Sequence, residues 1–384
     1  MIAKPIYLDY MSTTPIDPEV ITKMMRYMGP DARFANPASV QHVPGQEAAA
    51  AVETARAQIA HVLGAGTDEI VFTSGATEAN NLAILGAARF YQRKGRHLIT
   101  MSTEHKAVLD TFKQLEKEGF NVTYLPPLPS GLLDVKTLET ALRSDTILVS
   151  VMHVNNEIGV IQDIAGIATL LENKGIIFHV DAAQSAGRLP IDLSILPVHL
   201  MSFSAHKNYG PKGIGALYIR QKPRTRIEAI SFGGGQERGL RAGTLPTHQI
   251  VGMGAAFALS ESLRIEEQSR TLRLREHLWR QLQAIPDIHV NGCLAQRVAG
   301  NLNISIGGID GEQLLPALHP LAVSSSSACM AQSTQPSYVL RALGIQADLA
   351  KSSIRISLGR FTTQNDINKA AEQLDVVISR LRRI

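Results

Sequence analysis

The sequence is poor in cysteine, with only Cys293 and Cys329 among 384 residues. Two widely separated thiols build neither a disulfide framework nor a cysteine-based metal cluster, and the usage fits a reducing compartment. Long apolar runs are also missing: no stretch reaches the 18 residues that a membrane helix needs, and "MIAKPIYLDY" at the start has no apolar signal core. Charge of one sign is not concentrated. Thirty-eight basic residues stand against 34 acidic ones, and no run of five or six Lys and Arg occurs. A nucleic-acid groove is therefore not indicated. The densest basic spot, "SRLRRI", reads as a solvated helix C-terminus. These absences describe a soluble cytoplasmic protein with no membrane and no direct nucleic-acid partner.

What is present is an alternation. From residue 70 to about 220, short apolar runs ("EIVFTS", "HLITMS", "NVTYLP", "TILVSVMHV", "IIFHVDAA", "LMSFSA", "GALYIR") are separated by segments of helical pattern. Buried parallel strands read as continuous apolar runs, and crossover helices lie between them. The pattern predicts an α/β unit with a mostly parallel sheet covered on both faces. "GALYIR" follows a short glycine-rich connection and is the expected antiparallel member. Residues 246 to 284 read as one long or bent helix that connects domains. A smaller α+β unit follows, with strands at "LNISIGG", "LAVSSS" and "SSIRISLG".

Open α/β sheets bind ligands at the carboxyl ends of their strands. Five successive strand ends here carry polar groups: "TSGATEANN", "TEH" with His105, "NNE" with Asn155 and Asn156, Asp181 with Gln184, and Ser204, His206 and Lys207. One such residue is usually a cap, whereas five together mark a site. "SGATEANN" places Thr77 at a helix start, which suits either a phosphate or a plain N-cap. It is not a Walker motif, since no GxxxxGK[ST] occurs. Asp181 ends a very apolar strand, where a carboxylate asks for a cation or a protonated heterocycle, or else caps the following turn. No second carboxylate or histidine cluster accompanies it, which argues against a metal. Lys207 is either a surface lysine or, with a lowered pKa beside apolar strands, an amine able to form a Schiff base.

A phosphate-binding helix start, a strand-end Asp and a Lys after "SFSAH" together suit pyridoxal 5'-phosphate (PLP). Long blocks of the chain then resemble the cysteine desulfurases of the NifS/IscS family, of the IscS type: "YLDYMSTTPIDP", "FTSGATEANN", "TEHKAVLD", "MHVNNEIGV", "HVDAAQS", "MSFSAHKNYGPKGIGALY", "GGGQERGLRAGT", "SSSSAC", "PSYVLRALG" and "SSIRISLGRFTT". The resemblance implies the fold type I of PLP-dependent enzymes: a seven-stranded, mostly parallel sheet flanked by helices, plus a smaller α+β domain. It divides the chain into a large PLP-binding domain at 15–260 and a small domain from 1–14 and 261–384. The small domain would carry a catalytic cysteine loop at about 322–337.

By the same resemblance, Lys207 would hold the cofactor and move the substrate α-proton. Asp181 would pair with the ring nitrogen, His105 would stack on the ring, and Gln184 would hydrogen-bond its hydroxyl. Ala76, Thr77, Ser204 and His206 would bind the phosphate, and Thr244 would reach the phosphate of the partner subunit in a homodimer. Arg355, helped by Asn156, would grip the carboxylate of L-cysteine. Cys329 would take the sulfur as a persulfide, which could also act as a transient iron–sulfur ligand. Alanine would leave, and the sulfur would pass to an iron–sulfur scaffold protein or to sulfur-carrier proteins, including those for tRNA thiolation. A selenocysteine lyase or a small aminotransferase of the same fold type is the alternative, although an aminotransferase has no use for Cys329. The chain departs from the family pattern at Ser326, where glycine is usual, and at Met330 and Gln236. It also ends at Ile384, short of the tail that helps IscS-type members dock the scaffold. Cys293, in "HVNGCLAQ", is read as an incidental thiol.

Overall fold

The computed structural model of the protein describes residues 5–325 and 336–383. Among these residues, thirteen strands follow in chain order: β1 (Ile6–Tyr7), β2 (Ile70–Thr73), β3 (His97–Met101), β4 (Asn121–Leu125), β5 (Thr146–Met152), β6 (Ile177–Asp181), β7 (Leu200–Ser204), β8 (Gly215–Ile219), β9 (Ile288–Val290), β10 (Asn301–Ile306), β11 (Leu321–Ala322), β12 (Ser324–Ser325) and β13 (Ser353–Ser357). Strands β2 to β8 form one seven-stranded sheet in the order β2-β8-β7-β6-β5-β3-β4. Only β8 runs antiparallel to its neighbours, as its glycine-rich approach suggests. Both faces are buried, so neighbouring residues of β2 enter different cores. Ile70 and Phe72 pack on one side, and Val71 packs on the other with Leu82, Phe112 and Leu217. This double burial is why the strands read as unbroken apolar runs.

The helix Ala76–Tyr91 follows β2 directly, and Lys106–Lys117 follows β3 after a short turn. Their N-termini therefore sit at the carboxyl edge of the sheet. The helix Thr247–Leu282 is continuous over 36 residues. Its first part gives Ile250, Met253 and Phe257 to the core of the large sheet, and its last part gives Leu274, Leu278 and Leu282 to a separate core. That second core lies against the antiparallel sheet β12-β13-β10-β9.

Three features differ from the sequence pattern. The helix Val43–Leu63 is built around "EAAAAVETARAQIA", whose small residues carry little periodic signal. They let the long helix come very close: a Cβ on Gly254 would lie 2.7 Å from Ala55 Cα. The "LAVSSS" segment is not one strand. β11 pairs with the N-terminal β1, and β12 pairs with β13. Finally, the N-terminal residues cross the molecule. β1 lies parallel to β11, Asp9 bridges to Ser357, and Leu8 is buried in the second core. This route delivers Met11 and Ser12 to the edge where the strand ends meet.

Candidate active site

A cleft of about 540 Å³ opens at the carboxyl edge of the large sheet, and Ala76, Thr77, His105, Asn156, Asp181, Gln184, Ser204, His206, Lys207 and Arg355 all line it. The fold thus gathers the strand-end residues named from the sequence except Asn155, which is buried outside the cleft and accepts from the Glu157 and Ile158 amides. Two expected residues stand apart. Thr244 is exposed on the approach to the long helix and does not line the cleft. Cys329 lies outside the described residues, as do Ser326 and Met330.

The Lys207 side of the cleft rests on the N-terminal crossing. Lys207 Nζ donates to the backbone carbonyls of Met11 at 2.9 Å and Ser12 at 2.6 Å. Behind it, Arg188 ties three segments together. Its guanidinium donates to Gln184 O at 2.9 Å and Gln184 Oε1 at 2.5 Å, to Tyr10 O at 3.2 Å and to Lys207 O at 3.3 Å. Gln184 in turn donates from Nε2 to Met11 O at 2.8 Å. His206 meets Thr13 Oγ1 through Nδ1 at 3.0 Å. Burial, with the charges of Lys207 and Lys212, lowers its pKa to about 4, so the ring is neutral at physiological pH.

Asp181 ends β6 with both carboxylate oxygens engaged. Asn80 Nδ2 donates to Oδ2 at 2.8 Å, and the Ala183 amide donates to Oδ1 at 2.9 Å. Two donors fix the carboxylate group in a buried position. His105 caps the next helix: its Nδ1 accepts from the Ala107 amide at 3.1 Å, which puts the ring proton on Nε2. The neighbouring Glu104 is fully buried and accepts from the Met152 amide at 2.8 Å. Burial, with the charge of Asp181 adding to it, raises its pKa well above the usual carboxylate value.

At the other end, Gly75 opens the helix Ala76–Tyr91 at φ +152°, a conformation that favours glycine. Gly215 of β8 presses against it, since a Cβ there would lie 2.6 Å from Gly75 Cα and 2.5 Å from Phe203 O. The acidic residue in this first turn, Glu78, is taken up by the Ser74 amide at 2.6 Å and by Arg241 Nε at 3.0 Å. The helix start is left suited to an anion.

Arg355 closes the cleft from β13. Its NH1 donates to Asn156 O at 2.6 Å, while NH2 reaches Asp9 Oδ1 at 2.7 Å, Ser12 Oγ at 2.6 Å and Ser324 Oγ at 3.2 Å.

An amine, a doubly held carboxylate, a glycine-opened helix start and an arginine around one cleft fit PLP and an amino-acid substrate. The Oδ1 atoms of Asn156 and Asn80 and the Nε of Arg355, buried and without partners among the described residues, fit this too, for such atoms are rare unless a ligand supplies their partners. The family model for class-V aminotransferases matches residues 6–370.

The chain belongs to this family, among its cysteine desulfurases. A protein named cysteine desulfurase IscS from Escherichia coli is 59% identical over 378 residues, covering 98% of this chain and 94% of that protein. A solved NifS-like protein superposes with a TM-score of 0.91 at 35% identity, over 98% of this chain and all of the other. A structure described as SspA in complex with cysteine gives 0.82 at 38% identity, over 93% of this chain and 99% of that one.

Sequence reasoning reached the residues with obvious chemistry and missed those that hold them. Asn80 and Asp9 lay inside quoted motifs without an assigned role, and Arg188 was not noticed. Nothing in their local pattern shows that they face Asp181, Arg355 and Lys207. Cys293 has no place in the cleft. Its Sγ accepts from the Gln296 amide at 3.4 Å, in a turn of the smaller unit.

Proposed function

We propose that this cysteine desulfurase uses PLP in the cleft to remove sulfur from L-cysteine and stores it as a persulfide on Cys329. The convergence of Lys207, Asp181, His105 and Arg355 on one cleft carries the reading. When bound, PLP supplies an electron sink that stabilises negative charge on the attached substrate. The chain's residues supply the rest. Lys207 anchors the cofactor and carries the α-proton of the substrate. Asp181, fixed by Asn80 and Ala183, keeps a proton on the ring nitrogen. His105, with its proton on Nε2, supports the ring face and assists proton transfer. Ala76, Thr77, Ser204 and His206 would hold the phosphate, Gln184 would hold the ring hydroxyl, and Asn156 and Arg355 would take the substrate carboxylate.

The Cys329 thiolate attacks the substrate sulfur. An S–S bond forms as the substrate Cβ–S bond breaks, the carbon fragment keeps the electron pair, and protonation releases L-alanine. The persulfide then passes its outer sulfur to acceptor proteins for iron–sulfur cluster assembly and tRNA thiolation. The working unit is a cytoplasmic homodimer in which Thr244 reaches the partner subunit's phosphate site. Residues 15–260 form the PLP-binding part, and 1–14 with 261–384 form the part that carries Cys329.

The test is the stoichiometry of the purified protein. With L-cysteine and a reductant it yields alanine and sulfide in equal amounts. Cys329→Ser keeps the bound-cofactor spectrum and makes no sulfide. Sulfide from that variant at the parent rate would remove Cys329 from the reaction, and 3-mercaptopyruvate as the product would favour an aminotransferase.

A further inference from the structure

Arg355 is held by the protein's own acceptors, and a carboxylate is among them. Arg355 sits on β13 with Asn303 of β10 on one side and Ser324 of β12 on the other. Its side chain is almost fully buried, at 4% exposure, so its charge needs compensation from the protein. Asp9 provides the ion pair at 2.7 Å.

The NH2 group has two hydrogens but three acceptors in reach: Asp9 Oδ1, Ser12 Oγ and Ser324 Oγ. The two serine hydroxyls also meet, at 3.3 Å. The Nε hydrogen has no acceptor among the described residues. The guanidinium is therefore crowded at one nitrogen and unsatisfied at another. An incoming carboxylate that binds in fork geometry uses two neighbouring N–H groups, and both edges of the fork that include NH2 share it with these acceptors. Asp9 makes the shortest charged contact, and the main chain on either side fixes it. Leu8 is buried in the second core, and Asp9 bridges to Ser357. Asp9 is thus set by the backbone rather than by a mobile side chain reaching in.

We propose that Asp9 is a positioning residue for substrate binding. It neutralises Arg355 and holds the guanidinium in place at the cleft for an amino-acid carboxylate. It rests on the reading that Arg355 binds that carboxylate.

Three variants of the PLP-loaded enzyme test this: Asp9→Ala, Asp9→Asn and Arg355→Gln. Each is titrated with L-alanine, followed by the cofactor absorbance, and assayed for kcat and KM with L-cysteine. For Asp9→Ala the expected result is an L-alanine affinity and an L-cysteine KM weakened about tenfold or more, with kcat within threefold of the parent. Asp9→Asn keeps an oxygen acceptor at the same place without the charge, and its loss is smaller than that of Asp9→Ala. A parent-like affinity and KM in Asp9→Ala overturns the proposal, as does an equal loss in both Asp9 variants with a lower fraction of folded, cofactor-loaded protein. Arg355→Gln separates the two readings. If it binds L-alanine as the parent does, the carboxylate assignment of Arg355 fails. If it binds poorly while Asp9→Ala binds normally, only the role of Asp9 falls.

Discussion

Asn80 and Asp181 face each other across the cleft floor at 2.8 Å, the amide of one donating to the carboxylate of the other. Asn80 belongs to the helix that opens at Gly75, and Asp181 ends the central strand β6. One contact therefore couples the two ends of the proposed cofactor site. A hydrogen bond to a buried charged group is worth about 2 kcal/mol. Asn80→Ala is expected to weaken PLP affinity by roughly thirtyfold, since about 1.4 kcal/mol is a factor of ten. Equilibrium dialysis of PLP against the apoprotein checks this, and a melting temperature close to the parent's shows that the loss is local.

Gly215 pairs with both Thr73 and Ser204, the last residues of the two strands that flank the Ser74–Gly75 turn. A methyl group there meets backbone on both sides, Phe203 O at 2.5 Å and Gly75 Cα at 2.6 Å. Neither neighbour is a side chain that can swing away. Gly215→Ala is expected to push the turn out of shape and lower retained cofactor at least tenfold, read as the ratio of cofactor to protein absorbance after gel filtration. Overpacking of this kind costs about 1–3 kcal/mol of stability as well.

Arg188 joins the carbonyls of Tyr10, Gln184 and Lys207, one from each of three chain segments. Arg188→Met leaves these acceptors without their donor and is expected to cost about 2 kcal/mol in urea unfolding. Arg188→Lys restores a single point donor in place of the fork and recovers part of that loss. A parent-like midpoint for Arg188→Met would show that water replaces the guanidinium.

Four imidazoles are held neutral by burial: His153, His199 and His206 with pKa values lowered to about 4, and His179 to about 3. The unfolded chain takes up these protons near the ordinary value of 6.5, so between that pH and about 4 it binds more protons than the folded one. The stability associated with the neutral rings is complete above pH 6.5 and is lost as pH falls toward 4. Glu104 pulls the other way, because its raised pKa favours the folded state at lower pH. One carboxyl does not offset four imidazoles. Thermal unfolding is expected to shift to lower temperature from pH 7 to pH 5, and His179→Gln, which keeps a polar group between Ser150 and Ser202, should reduce the slope.

How much was legible follows from what each residue signals locally. The seven strands of the large sheet read clearly because both faces are buried and the runs are short. The antiparallel β8 was readable from the glycines before it. The helix Val43–Leu63 gave little warning, since an alanine-rich helix that packs through small side chains has no apolar stripe to detect. Lys207, Asp181 and His105 announced themselves by titratable chemistry at strand ends. Asp9 did not, because its partner Arg355 is 346 positions away in the chain.

The sequence alone determined the sheet, its order of elements and the residue types that meet at its carboxyl edge, because hydrophobic period and strand-end chemistry are local properties. Only the tertiary structure decided what holds those residues in place. The N-terminal crossing that puts the Met11 and Ser12 carbonyls on Lys207, the Asn80 amide on Asp181 and the Asp9 carboxylate on Arg355 are all contacts between distant segments. They exist because packing two cores against one long helix brings those backbones together, and no local pattern encodes that meeting.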